Sequence, residues 1–174
     1  MPSWPKEKLD KWVTVYTDAG FHEGRARVAY LARTSLTPRW FDNARDCQCT
    51  DVQAAETIAI WFALNEVHRV FPDPATIEGL FVRTDNKWVA ELVGAKTKSQ
   101  RKHYLRRALK GQLQTDLHTA LKGVFNAADH YGYELRVKHV FAHGRANDPT
   151  ARWMNDQADR LANLRSKERQ NAAN

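Results

Sequence analysis

Cysteine is nearly absent. Of 174 residues only Cys47 and Cys49 carry thiols, and their spacing in "CQC" is too tight for an ordinary disulfide and leaves no companions for a zinc site. A disulfide scaffold is excluded, and two free thiols are expected. Long apolar runs are also missing: no stretch is long enough to span a bilayer, and the N-terminal "MPSWPKEKLDKW" has no apolar core of signal-peptide type. A soluble, cytoplasmic protein without a membrane partner is expected. Internal repeats are absent as well. Acids are in deficit, 20 Asp and Glu against 27 Lys and Arg, for a formal charge of +7. That surplus points to a polyanionic partner, nucleic acid before an anionic membrane surface. The length suits one well-buried domain and is short for two.

The apolar pattern orders the elements. Trp12 to Thr17 holds β-formers on both faces, as in a central strand covered on each side, and Asp18 is expected to close it. "RARVAYLAR" and "PRWFDNAR" read as two further strands, making an antiparallel meander. "TDVQAAETIAIWFALNEVHRVF" follows, with Thr50 or Asp51 as N-cap and a centre apolar on nearly every face, hence a buried helix. "TIEGLFVRT" is a strand ending at Asp85, and "NKWVAELVG" a helix stopped by Gly94. Leu113, Leu117, Leu121, Val124 and Ala128 recur at helical spacing. "YELRVKHVFAH" is a last strand, and after a polar loop "MNDQADRLANLRSKER" is a last helix. The order β-β-β-α-β-α-α-α-β-α describes a mixed sheet with helices packed on it.

Three carboxylates stand out on these elements. Asp18 and Asp85 sit at expected carboxyl ends of strands, where Asp serves turns and where sheet folds also place ligand sites. Glu56 opens a helix too apolar to be a solvated surface element, so its charge needs a partner, whether as helix cap, ion pair or ligand. If the two strands are neighbours, both aspartates face one crevice. From Lys96 to Lys110 the chain carries seven Lys or Arg and no acid. Such a run is commonly a solvated helix face, yet Tyr104 among the cations offers stacking to a base or sugar. Lys96, Lys98, Arg101, Lys102, Arg106 and Arg107, with Tyr104, are therefore candidate nucleic-acid contacts.

The motifs "YTDAG", "QAAE", "VRTDNKWV", "HVFAH" and "NDQADRLA", in this order and on these elements, resemble those of type 1 ribonuclease H over roughly Trp12 to Leu164. The resemblance implies an α/β ribonuclease H-like fold: a five-stranded mixed sheet, three strands antiparallel and then two parallel, with helices on both faces. It implies a catalytic domain over residues 12–165, between a flexible leader (1–11) and a polar tail (166–174). Residue by residue, Asp18, Glu56, Asp85 and Asp159 match the family's metal-binding carboxylates and His143 its mobile histidine. Gln53 resembles the residue that touches the minor groove, and the basic run matches the protrusion some members use to grip the DNA strand.

The implied activity is hydrolysis of the RNA strand of an RNA–DNA hybrid with two Mg²⁺ ions, or Mn²⁺ as substitute, leaving a 5′ phosphate and a 3′ hydroxyl. Alternatives on the same fold are a nuclease for double-stranded RNA or branched DNA, and a non-catalytic nucleic-acid-binding module. No obligate protein partner is implied. His139, four residues before the end of the last strand motif, is expected to be structural. Asp156 competes with Asp159 for the fourth place, being three residues away on the same helix. Two departures from the family pattern are expected to matter: a short, glycine-poor turn after Asp18, and a long loop at residues 144–154 before the last helix.

Overall fold

Strand β1, Trp12–His22, is buried through Thr17 on both faces apart from the half-buried Thr14, because helices pack on each side of the sheet. A computed structural model of the chain describes residues 11–37, 39–109, 115–140 and 149–172. The expected leader, apart from Lys11, lies outside them, as does Phe141. In chain order the described elements are β1, β2 (Arg25–Arg33), β3 (Phe41–Gln48), α1 (Val52–Val70), β4 (Gly79–Thr84), α2 (Lys87–Val93), α3 (Lys98–Ala108), α4 (Thr115–Tyr131), β5 (Glu134–His139) and α5 (Pro149–Ala172). The sheet runs β3-β2-β1-β4-β5. The β1–β2 and β2–β3 pairs are antiparallel, and β4 runs parallel to both β1 and β5.

Helices cover both faces of the sheet, and side-chain parity shows it. Val13 and Val15 of β1, Val28 and Tyr30 of β2 and Leu80 and Val82 of β4 join Ile60 and Leu64 of α1 and Leu117 and Leu121 of α4 in the main core. Tyr16 and Leu31 have the opposite parity and pack instead on Met154 and Ala158 of α5. Helix α1 is buried on most sides because it is sandwiched between the sheet and α4. Leu64 is fully buried, so truncating it to Ala would cost about 2–5 kcal/mol. Asp51 caps this helix, accepting from the Ala54 amide at 2.8 Å, and Gly94 ends α2 as expected.

Three boundaries differ from the sequence reading. Asp18 does not close β1: the strand runs on to His22, and the hairpin turns at Glu23 and Gly24, both with positive φ (47° and 78°), the two-residue turn whose twist suits a hairpin. Ala19 and Gly20, read as turn residues, are strand residues paired with Val28 and Arg27. Strand β3 lies three residues later at each end than "PRWFDNAR", set by its register from Phe41↔Ala32 to Arg25↔Gln48. The last helix begins at Pro149, inside the segment read as a long loop, because proline suits a first helical turn where its missing N–H has no partner to lose. It runs on to Ala172, through most of the segment set apart as a tail. None of the described helices is long and apolar enough to cross a membrane.

Candidate metal centre

Strand register and helix entry bring three carboxylates to one point. The β1–β4 ladder is parallel and extends to Tyr16↔Arg83, so Asp18 and Asp85 both stand just past its carboxyl end. Glu56, in the second turn of α1, arrives from the helix layer. One carboxylate oxygen from each of Asp18, Glu56 and Asp85 lies within 4.8 Å of the others. Glu56 is 4 % exposed, and its Oε2 is buried without a hydrogen-bond partner.

Local bonds hold each carrier in place. Asp18 Oδ1 accepts from the Ala19 amide at 2.8 Å. The residue after Asp85, Asn86, caps α2 by accepting from Val89 at 3.1 Å, and its own amide donates to the Thr84 hydroxyl at 3.2 Å. His139 Nε2 donates to the Asp85 carbonyl at 3.0 Å, in keeping with the structural role expected of it. Gln53 lies half-buried in the first turn of α1, and its carbonyl accepts from Thr57 at 2.8 Å.

The electrostatics are those of a site short of positive charge. Burial, then the charge of Asp85, pushes the Asp18 carboxyl up from 3.8 to about 7, and the Ala19 amide offsets part of the rise. Glu56 is raised well above its ordinary value by burial first, then by Asp18 and Asp85. Like charges in a low-dielectric crevice cannot all ionise cheaply. The donor set is all carboxylate oxygen, which suits a hard divalent cation such as Mg²⁺ or Mn²⁺ and not zinc. A buried, unpartnered Glu56 oxygen fits such a group.

Asp159, on α5, lies beside Asp18 and adds to the rise of its carboxyl, but it is not one of the three mutually close groups. No such influence on the cluster appears for Asp156. His143 lies outside the described residues. Sequence reasoning passed over Asn163, whose Nδ2 donates to Asp159 Oδ1 at 2.7 Å; the signal was the i, i+4 spacing of the two residues on one helix.

The basic run forms a separate region. Thr97 and Gln100 make a reciprocal capping box at the start of α3. Lys96, Lys98, Lys102, Arg106 and Arg107 are exposed, whereas Arg101 and Tyr104 are half-buried. Arg101 pairs with Asp129 at 2.7 Å and sits 4.8 Å from the Phe125 ring centre, and the Tyr104 hydroxyl meets Glu91 at 3.4 Å. These two residues tie α3 to its neighbours. A groove of about 380 Å³ between α3 and α4 is lined by Lys98, Lys102 and Arg106 together with Leu105, Leu109 and Phe125. Lys110 lies outside the described residues.

No protein-family model matches the sequence, and a search of curated proteins gives no match. Solved structures do match. The N-terminal RNase H domain of a Mycobacterium tuberculosis protein is 18% identical, with 94% of this chain and 99% of that one covered, at a TM-score of 0.64. An RNase H1 isolated from compost by a metagenomic approach, solved in complex with an RNA/DNA hybrid, is 17% identical, with 87% and 94% covered and a TM-score of 0.62. The protease-reverse transcriptase of prototype foamy virus is 17% identical; 94% of this chain matches 21% of that one, at a TM-score of 0.66. The chain therefore has the ribonuclease H-like fold.

Proposed function

We propose that this chain is a type 1 ribonuclease H: a divalent-metal-dependent endonuclease that hydrolyses the RNA strand of RNA–DNA hybrids, with its catalytic unit over residues 12–165. The observation that carries this reading is the cluster of Asp18, Glu56 and Asp85 with a buried, unpartnered Glu56 oxygen. A binding module for a polyanion has no use for clustered negative charge, whereas a phosphodiesterase needs it. The fold shared with an RNase H1 seen on an RNA/DNA hybrid and the chain's charge of +7 support the same reading.

Asp18, Glu56 and Asp85 would hold the cations, with Asp159 completing the set from α5. Two divalent ions bound there supply Lewis acidity at the attacking and leaving oxygens of an anionic phosphodiester. The chain's own residues do the rest. Burial of Glu56 and Asp18 keeps water from screening the site, so charge on the scissile phosphate is felt strongly. His143 is assigned the transfer of a proton near neutral pH, leaving products with a 5′ phosphate and a 3′ hydroxyl. Gln53, one turn before Glu56, is assigned to the minor groove. The exposed cations of α3 are assigned to the DNA strand, and the half-buried Tyr104 to a stacking contact.

The test is cleavage of one labelled sequence offered as RNA–DNA hybrid, RNA duplex, DNA duplex and single strand, in Mg²⁺ and in EDTA. The expected result is cutting of RNA in the hybrid alone, in Mg²⁺ alone. Undiminished cutting in EDTA would remove the metal mechanism. Equal cutting of the RNA or DNA duplex would give the activity to the broader nuclease alternative, and binding without cutting would leave a recognition module.

A further inference from the structure

Asp159 has a positional problem that the other three carboxylates do not. Asp85 is fixed by the end of β4, Asp18 by its place within β1 and its bond to the Ala19 amide, and Glu56 by burial, but Asp159 is a half-exposed side chain inside a regular helix, where a carboxylate is free to turn away. We infer that Asn163 is the positioning residue that removes this freedom and aims Asp159 at the metal centre; the inference rests on the metal-site reading proposed above.

The geometry comes from a single helical turn. Asn163 Nδ2 donates to Asp159 Oδ1 at 2.7 Å and to the Asp159 carbonyl at 2.9 Å. Its two amide hydrogens thereby hold both the carboxylate and the backbone of the same residue. That bond engages one carboxylate oxygen, and the same side chain also reaches Asp18. The bond is charge-assisted, the strong class of hydrogen bond.

The turn itself is pressed onto β1 just beyond Asp18. A Cβ placed on Gly20 would lie 2.9 Å from the Ala162 carbonyl oxygen and 3.0 Å from Asn163 Oδ1. Only glycine lets the helix sit this close, two residues past Asp18. Arg27 pins the same turn from the next strand: its Nε donates to the Leu161 carbonyl at 2.9 Å while its guanidinium pairs with Asp46 at 3.2 Å. The notch at Gly20 and the Arg27 bond set the height of the helix, and Asn163 sets the direction of Asp159.

A group that orients a ligand carboxylate typically matters tenfold to a hundredfold in metal affinity. Asn163→Ala is expected to weaken Mn²⁺ binding by about tenfold, read by calorimetry or by the Mn²⁺ resonance signal, with the fold retained because alanine is the better helix former. The deciding measurement is a cycle with Asp159→Asn. If Asn163 acts through Asp159, adding Asn163→Ala to Asp159→Asn costs no further affinity, and the cleavage lost in the single variant returns in part at high Mg²⁺. Unchanged Mn²⁺ affinity in Asn163→Ala, or losses that add in the double variant, would overturn the assignment while leaving the metal site standing. Wild-type protein that binds no Mn²⁺ would overturn both.

Discussion

The molecule carries its two strongest charge concentrations in opposite ways. At the carboxylate end, Glu56 is 4 % exposed, Asp18 is pushed up to about 7, and each residue is held by an element that belongs to the core. On α3 the cations project into solvent, and the helix is fastened by Arg101 to Asp129, by Tyr104 to Glu91 and by the buried Ala108. Like charges in the crevice repel through low-dielectric material; like charges on α3 repel through water, where the same pair costs several-fold less. The acidic region thus destabilises the fold until something positive enters it, whereas the basic region stands ready with almost no cost. A site meant to hold a small cation and a surface meant to meet a long anion are built by different physics.

The largest effect that would sharpen this contrast is loss of activity on removing one charge from the crevice. Asp85→Asn is expected to cut metal-dependent cleavage of the hybrid on the order of 10³-fold or more while leaving the fold intact, as seen by an unchanged or raised melting temperature in EDTA. A variant with near wild-type cleavage would show that the crevice is not where the chemistry happens.

The next effect is on stability, and its sign follows from the direction of the shift. Asp18 binds its proton more tightly folded than unfolded, with a folded value of about 7 against 3.8. Between those values the native state holds more protons than the unfolded one, so stability falls as pH rises. The cluster's favourable contribution is full below about pH 4 and is lost as pH passes through about 7. In EDTA stability should therefore fall from pH 5 to pH 8 by an amount on the order of 3 kcal/mol from Asp18, lowering the melting temperature by several degrees in a domain of this size. Mg²⁺ should abolish the fall, and Asp85→Asn should flatten it. A decline identical in wild type and Asp85→Asn would mean that the crevice does not carry the strain ascribed to it.

Much of this division was legible before any coordinates. Periodicity placed all ten described elements in order, and the two aspartates fell just past the carboxyl end of the β1–β4 ladder because an apolar run that stops at a carboxylate marks where burial stops, even though β1 itself runs on to His22. The reading failed where a residue type has two uses. Ala19 and Gly20 look like a turn, yet Ala19 packs on the main core and Gly20 is bare because α5 presses on β1 there, a contact 142 residues away in sequence at Ala162. Pro149 looks like loop, but a helix start tolerates it. The ends of β3 were misplaced because pairing register, not local composition, decides them. Arg101 and Tyr104 were grouped with the exposed cations because composition cannot tell an anchor from a solvated charge on one amphipathic helix.

That last confusion supplies the smallest prediction, and it tests the basic half of the contrast. Because Arg101 is engaged with Asp129 and Phe125, changing it mixes packing with binding, and a clean test leaves it in place. Replacing Lys98, Lys102 and Arg106 by Ala removes three exposed cations that line the groove between α3 and α4. If they lie on phosphates, each one removed releases about one fewer counterion on binding, so the slope of log affinity against log salt should shallow by roughly 2 to 3. At moderate salt this is about a tenfold loss of affinity for the hybrid, with the melting temperature and the Mn²⁺ affinity of the crevice unchanged. Titrating hybrid binding at several salt concentrations measures it directly. An unchanged slope would return α3 to a merely solvated helix, and a fall in Mn²⁺ affinity would show that the two regions are not built as separately as the structure implies.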